Sequence, residues 1–187
     1  MDLLEALHRR RAVRDYSAEP VSRRVLEALV DAATWAPSAL NSQPWMFTVV
    51  QDPPLLERIS RESKVQLLGG SGAALPAELL ARLKDPAFHI FYHAPALVVI
   101  SAREAGPWAI ADCALAAQNL MLAACANGLG SCWIGLAQSW LGTSEGKRAL
   151  GLPDACLPVA PIILGYPGIM PPIPQRHAAR IRWIGGI

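Results

Sequence analysis

Three separated segments carry side chains able to bind a flat, anionic ligand, and none of them holds an acid–base pair. The first is the turn Arg10-Arg11-Ala12-Val13-Arg14. Guanidinium is the group suited to planar, bidentate recognition of phosphate. The second is the loop Pro37-Ser38-Ala39-Leu40-Asn41-Ser42-Gln43-Pro44-Trp45, whose hydroxyl and amide groups could meet ring-edge donors and acceptors and a polar tail. The third is Gly128-Leu129-Gly130-Ser131-Cys132-Trp133-Ile134-Gly135, where glycines let backbone amides approach a ligand closely. Taken alone, each also reads as turn chemistry, and the arginines as a solvated basic helix end. Together they ask for a phosphate, a polar tail and a planar ring.

Other chemistries find little support. Gly128-Leu129-Gly130 starts a dinucleotide fingerprint, but the third glycine position holds Trp133 and the segment follows a helical pattern instead of preceding one. No phosphate-binding G-x-x-x-x-G-K-[ST] occurs. The four histidines (His8, His89, His93, His177) are too isolated to define a hydrolytic triad, and no histidine or carboxylate spacing suggests a metal. Cys113, Cys125, Cys132 and Cys156 form no C-x-x-C pair and lie in apolar stretches, so they read as reduced packing residues, Cys132 beside Trp133 included. A net charge of +2 is too small for a nucleic-acid binder. Its distribution is more telling: six of the seventeen basic residues stand in the first 24 positions beside four acids, which accounts for the whole excess.

The 187 residues suffice for one domain, here taken as 1–187, and 52% are hydrophobic against 17% charged. So much apolar surface favours further burial in at least a dimer. Ala109 to Ala126 has the length of a membrane-spanning helix, yet it is Ala-rich and includes Asp112, Gln118 and Asn119, which suits a core helix and no membrane partner. Met1 is followed by Asp2, Glu5 and the arginines instead of an apolar leader, so a cytoplasmic protein is expected.

The elements that must position these segments follow from periodicity and punctuation. Leu3 to Leu7 starts a short helix, and Asp15 to Pro20 is a turn. Ser22 caps a second helix with its apolar face on Val25, Leu26, Leu29, Val30 and Ala33, stopped by Pro37. Trp45 to Val50 is a strand, and Asp52-Pro53 opens a helix over Pro54 to Ser63. The region 62–89 is hard to read: Gly69-Gly70-Ser71-Gly72 breaks it, Ala77 to Lys84 is helical, and it is where a mobile lid would lie. Ala96 to Ser101 and Val159 to Gly165 are buried strands; the core helix ends at Gly128; Ser131 to Leu136 passes from loop to strand; Ser139 to Leu150 is a helix closed by Gly151. From Tyr166 to Ile187 four prolines make an extended arm.

The motifs R-R-x-V-R-x-Y, A-P-S-A-x-N-x-Q-P-W-x-F, D-x-x-x-A-x-Q-N-L-M-L-A-A, G-L-G-S-C-W-I-G and I-x-L-G-Y-P stand in this order from Arg10 onward. The chain thereby resembles the FMN-dependent nitroreductase family over nearly its whole length. The resemblance implies an α+β fold with three α/β/α layers about a central mixed, largely antiparallel sheet, in a homodimer. It implies that Arg10, Arg11 and Arg14 bind the FMN phosphate and pyrimidine edge, with Ala12, where the family usually has serine, contributing only its backbone. Pro37, Ser38, Ala39, Asn41 and Gln43 match the loop that reaches FMN, in many members from the partner subunit. Trp133, Ile134, Gly135 and Leu136 match the segment against the flavin, with the Gly135 amide donating to N5, and Arg176 matches the basic residue closing on the phosphate. The implied activity is hydride transfer from NADH or NADPH through flavin N5 to a small planar acceptor, nitroaromatic or quinone-like. The alternatives are a specialised flavoenzyme of this fold, such as a dehydrogenase or reductive dehalogenase, or an FMN-storing protein without turnover.

Overall fold

The computed structural model describes residues 1–70 and 75–185. Its helices are α1 (Leu3–Arg9), α2 (Arg23–Thr34), α3 (Pro53–Gly69), α4 (Ala77–Lys84), α5 (Ala109–Ala126), α6 (Gln138–Leu141) and α7 (Ser144–Ala149). Its strands are β1 (Trp45–Val50), β2 (Ala96–Ala102), β3 (Gly130–Trp133) and β4 (Leu157–Gly165), with short 3-10 turns at Ala39–Asn41 and Gly135–Ala137. The sheet order is β1-β2-β4-β3. All three strand pairs are antiparallel, with Trp45 opposite Ala102, Ala96 opposite Leu164 and Gly130 opposite Gly165. Among the described residues, parallel pairing is confined to an isolated bridge between Ala12 and Ser131.

Both faces of the sheet are covered, which gives three layers. Along β2 every residue is buried, and its side chains alternate between two cores. Val98 and Ile100 join Leu26 and Leu29 of α2 and Ala116, Ala117 and Leu120 of α5. Leu97 and Val99 join Leu56 and Ile59 of α3, Leu83 of α4 and Trp140 and Leu141 of α6. α5 is long and apolar enough to cross a membrane, but half of it is buried inside this chain as a core helix. Its small side chains let it lie close against the sheet, and Gly128, at φ +76°, closes it.

Two helices depart from the sequence reading. α3 continues six residues past Ser63 because nothing in Lys64 to Leu68 breaks it. Lys64 Nζ ties this extension down by donating to the carbonyls of Asp85 and Phe88, at 2.8 and 2.7 Å. The expected helix over Ser139 to Leu150 divides at Gly142. Thr143 starts a new helix there, its hydroxyl accepting from the Gly146 amide at 3.0 Å. Of the proposed break 69–72, Ser71 and Gly72 lie outside the described residues. Tyr166 to Gly185 holds no helix or strand; it is anchored at its start, where the Ser17 amide donates to the Tyr166 carbonyl and the Gly168 amide to that of Asp15.

The first and third segments meet because Gly130 lacks a side chain. A Cβ at Gly130 would stand 2.8 Å from Val13 Cβ, closer than real side chains pack. Its absence lets the Val13 amide donate to the Ser131 carbonyl at 3.1 Å and seats the arginine turn along the free edge of β3. Gly130→Ala should therefore cost about 1–3 kcal/mol, the usual range for overpacking. In thermal melts the Val13→Ala/Gly130→Ala double variant should lose less stability than the sum of the two single variants; strictly additive losses would show that the two residues do not confront each other.

Candidate functional site

The arginine turn leaves the end of α1 with its three guanidiniums in different situations. Arg11 is buried; its Nη1 donates to the carbonyls of His8 at 2.6 Å and Arg10 at 2.9 Å, closing the carbonyl end of the helix with a cation. Arg10 is half-buried and Arg14 exposed. Ala12 is exposed and held by its bridge to Ser131. Under the turn, Tyr16 Oη donates to the Val13 carbonyl at 2.8 Å. Burial pushes the Tyr16 phenol far above its ordinary range. Burial also raises the Cys132 thiol, against the opposing pull of Arg14 and Arg10. A thiol so disfavoured as thiolate is a packing residue. The same holds for Cys113, pushed up to about 11 by burial and by neighbouring Asp112.

Beyond β3, Ile134 is buried and its amide donates to the Pro161 carbonyl at 2.8 Å. Gly135 is exposed, and among the described residues its amide has no acceptor. Trp133 and Leu136 flank it, each half-buried.

The polar loop is built from strained backbone. Leu40, Asn41 and Gln43 all have φ between +45° and +54°, a region that costs non-glycine residues roughly 1 kcal/mol or more each. Local bonds hold the shape: the Gln43 amide donates to Ser38 Oγ at 3.0 Å and Gln43 Nε2 to Asn41 Oδ1 at 3.1 Å. Two residues outside the loop anchor it. The Ala39 amide donates to Asp112 Oδ1 at 3.1 Å, and Arg103 Nη2 donates to the Gln43 carbonyl at 3.1 Å. Asp112, a buried carboxylate on α5, is the site residue whose role the sequence reading missed. Its signal was there, since it is the one charge in the apolar run from Ala105 to Ser144. Pro37 is exposed at the start of the loop, and Leu40 projects into solvent.

The three segments do not converge within one chain. The loop is bonded to the first turn of α5, whereas the arginine turn lies against the strand that follows the helix's last turn. At 1.5 Å per residue, α5 separates these points by about 20 Å. Among the described residues no hydrogen bond links the loop to either of the other segments. Arg176 stands exposed on the arm, without a hydrogen-bond or ion-pair partner among the described residues, and Arg180 is exposed as well.

A second feature escaped sequence reasoning because its members are distant or oddly folded. His89 and His93 stack at 4.7 Å, and His89 Nε2 stands 3.4 Å from Glu57 Oε2, beside a cavity of about 660 Å³. Burial lowers the His89 pKa despite Glu57, so the ring is held neutral. Its Nδ1 accepts from the Phe91 amide at 3.2 Å, which places the proton on Nε2.

Residues 7–166 match the model of the Nitroreductase family, and the chain belongs to that family. A Methanothermobacter thermautotrophicus protein named as an NADH dehydrogenase/NAD(P)H nitroreductase is 31% identical over 176 residues, covering 91% of this chain and 80% of its own. Among solved structures, a nitroreductase with bound FMN from Bacteroides fragilis superposes with a TM-score of 0.87 at 28% identity, covering 99% of this chain and 100% of that one. A nitroreductase with bound FMN from Desulfitobacterium hafniense gives 0.85 at 26% identity, with the same coverage.

Proposed function

We propose that this chain is an FMN-dependent oxidoreductase that takes hydride from NADH or NADPH and delivers it to a small planar acceptor, nitroaromatic or quinone-like, at a site shared by two copies. The observation that carries this reading is the unspent Gly135 amide on the sheet edge that also seats Arg10 and Arg14. The donor set fits the group: guanidiniums for a phosphate, and a free backbone N–H and side-chain amides for a ring edge. Bound FMN would supply the hydride chemistry through its N5 atom.

The protein's part is to bind, orient and polarise. Arg10 and Arg14 would hold the phosphate; Arg11, spent on helix carbonyls, would contribute chiefly through its charge. Ala12 offers only its peptide, already fixed by Ser131. Gly135 would donate its amide to N5, with Trp133, Ile134 and Leu136 beside the ring, and permanent positive charge favours uptake of a hydride. Pro37, Ser38, Ala39, Asn41 and Gln43 would reach the ring from the second copy, since within one chain they lie a helix-length away. Arg176, on the arm, would close on the phosphate. No side chain need act as acid or base, which agrees with a site whose Cys132 thiol and Tyr16 phenol are held neutral and whose cations are arginines.

Pairing of two copies is supported by apolar surface that one chain leaves uncovered. Trp108, Ile110 and Leu115 are exposed at and near the start of α5, and Ile169, Ile173, Ile181, Trp183 and Ile184 along the arm. Burial of α5 within the chain also agrees with a cytoplasmic enzyme.

Purified protein should be yellow, bleach with NADH or NADPH in the absence of oxygen, and recolour when a nitroaromatic or quinone is added; yellow protein that neither nicotinamide reduces would end the oxidoreductase reading. Arg14→Ala should weaken FMN binding about 10- to 100-fold, the value of a hydrogen bond to a charged group, while leaving the melting curve nearly unchanged. An unaltered flavin-to-protein ratio would place the phosphate elsewhere. Light scattering should give about twice the 20.1 kDa chain mass, and a monomer that retains flavin would defeat the shared site.

A further inference from the structure

Arg82 of α4 has a glutamate one turn away and does not pair with it. Arg9 takes Glu5 at 2.8 Å and Arg23 takes Glu27 at 2.7 Å, both at a spacing of four residues. Glu78 stands at that same spacing from Arg82, yet among the described residues the two form no ion pair. Arg82 turns instead onto two aromatic rings, with Cζ 4.4 Å from the Phe88 centroid and 5.7 Å from that of Tyr92. Its only hydrogen bond among the described residues is a long one, 3.5 Å from Nη2 to Tyr92 Oη. The undescribed residues 71–74 are Ser-Gly-Ala-Ala and bring no side-chain carboxylate. Arg82 is therefore an exposed guanidinium held in place by packing, with most of its donors unspent among the described residues.

The rings that hold it are themselves held. Phe88 and Tyr92 meet edge to face at 5.7 Å. Lys64 is consumed by the Asp85 and Phe88 carbonyls, which fixes the turn under the rings. Tyr92 and His93 both have positive φ, at 52° and 54°, so the chain maintains a costly backbone to aim Tyr92 as it does. Arg14 reaches the same Tyr92 ring, with Cζ 6.0 Å from its centroid. α4 packs on α3, and α3 packs on the turn that begins at Gly135. Arg82 thus stands on the face of the sheet that carries the proposed ring site, one tyrosine away from a proposed phosphate ligand.

We propose that Arg82 is a specificity-determining residue: held over Phe88 and Tyr92, it recognises an anionic group, carboxylate or phosphate, on the substrate that enters beside the cofactor. This rests on the reading of the site as a flavin oxidoreductase and adds the charge of the substrate class to it. The anionic group can belong to the acceptor or to the ribose of the nicotinamide, and paired probes separate the two sources.

The experiment compares wild type, Arg82→Leu, which keeps the packing on Phe88, and Arg82→Lys, which keeps the charge, all with flavin bound. Calorimetry measures binding of 4-nitrobenzoate against nitrobenzene, and steady-state kinetics measure kcat/KM for NADPH against NADH with nitrobenzene as acceptor. Wild type should prefer the more highly charged member of at least one pair. Arg82→Leu should reduce that preference about tenfold, the loss of one charge-assisted hydrogen bond, and Arg82→Lys should restore part of it. A change confined to the nitro pair assigns the anion to the acceptor, and one confined to the nicotinamide pair assigns it to the 2′-phosphate. No preference in wild type, ratios within twofold between wild type and Arg82→Leu in both pairs, or an equal loss for charged and neutral probes would overturn the proposal. Flavin content and anaerobic bleaching of the same samples report separately on the oxidoreductase reading, and calorimetry reads binding even if turnover fails.

Discussion

The contact between Val13 and Gly130 is the constraint on which the rest of the site depends. β3 is a short edge strand, and an edge presents unpaired backbone groups that must be covered or used. Here the covering segment is the arginine turn, and it approaches closely enough to hydrogen-bond only because Gly130 has no Cβ. One close approach thereby caps the sheet edge, positions Arg10 and Arg14 beside it, and leaves the backbone farther along, at Gly135, with a donor free. Moving the turn outward by a methyl group would uncouple the arginines from that amide.

α5 plays the complementary part at longer range. Its alanines bring it close against β2 and β4, and its first turn carries Asp112 into the interior, where the carboxylate needs a donor. The Ala39 amide supplies it, and that bond offsets the left-handed backbone at Leu40, Asn41 and Gln43. A rigid helix therefore holds the polar loop at one end while its other end feeds β3. The two segments are thus fixed at opposite ends of one rod, and the proposed shared site is the arrangement in which a second copy brings them face to face. The uncovered Trp108, Ile110 and Leu115 near the loop end of the rod fit the same arrangement.

Much of this was legible in the sequence where local chemistry decides local structure. β1 runs from Trp45 to Val50 and α5 from Ala109 to Ala126, as the strand-forming run, the apolar run and its closing glycine indicate, and β2 extends only one residue past Ser101. The readings that fell short depended on tertiary partners. α3 outlasts Ser63 because nothing in Lys64 to Leu68 breaks it, and the Lys64 bonds that tie the extension down reach carbonyls more than twenty residues away, which no local signal encodes. Arg10, Arg11 and Arg14 look alike in sequence, but Arg11 turns inward to close α1 while Arg10 and Arg14 do not. The histidines looked isolated because stacking of His89 on His93 depends on positive φ at Tyr92 and His93, conformations that neither residue type advertises.

The electrostatics of the site follow from the same packing. Under the arginine turn the Cys132 thiol and the Tyr16 phenol are both displaced away from ionisation, because desolvation outweighs the opposing pull of the neighbouring arginines. The cations there are guanidiniums, which do not deprotonate in a protein. The field at the sheet edge is thus positive and constant across the neutral range. Such a surface is poorly suited to moving protons between side chains and well suited to holding an anion and accepting negative charge, so the scarcity of ionisable residues, which first suggests an absence of chemistry, instead defines the kind of chemistry the fold can host.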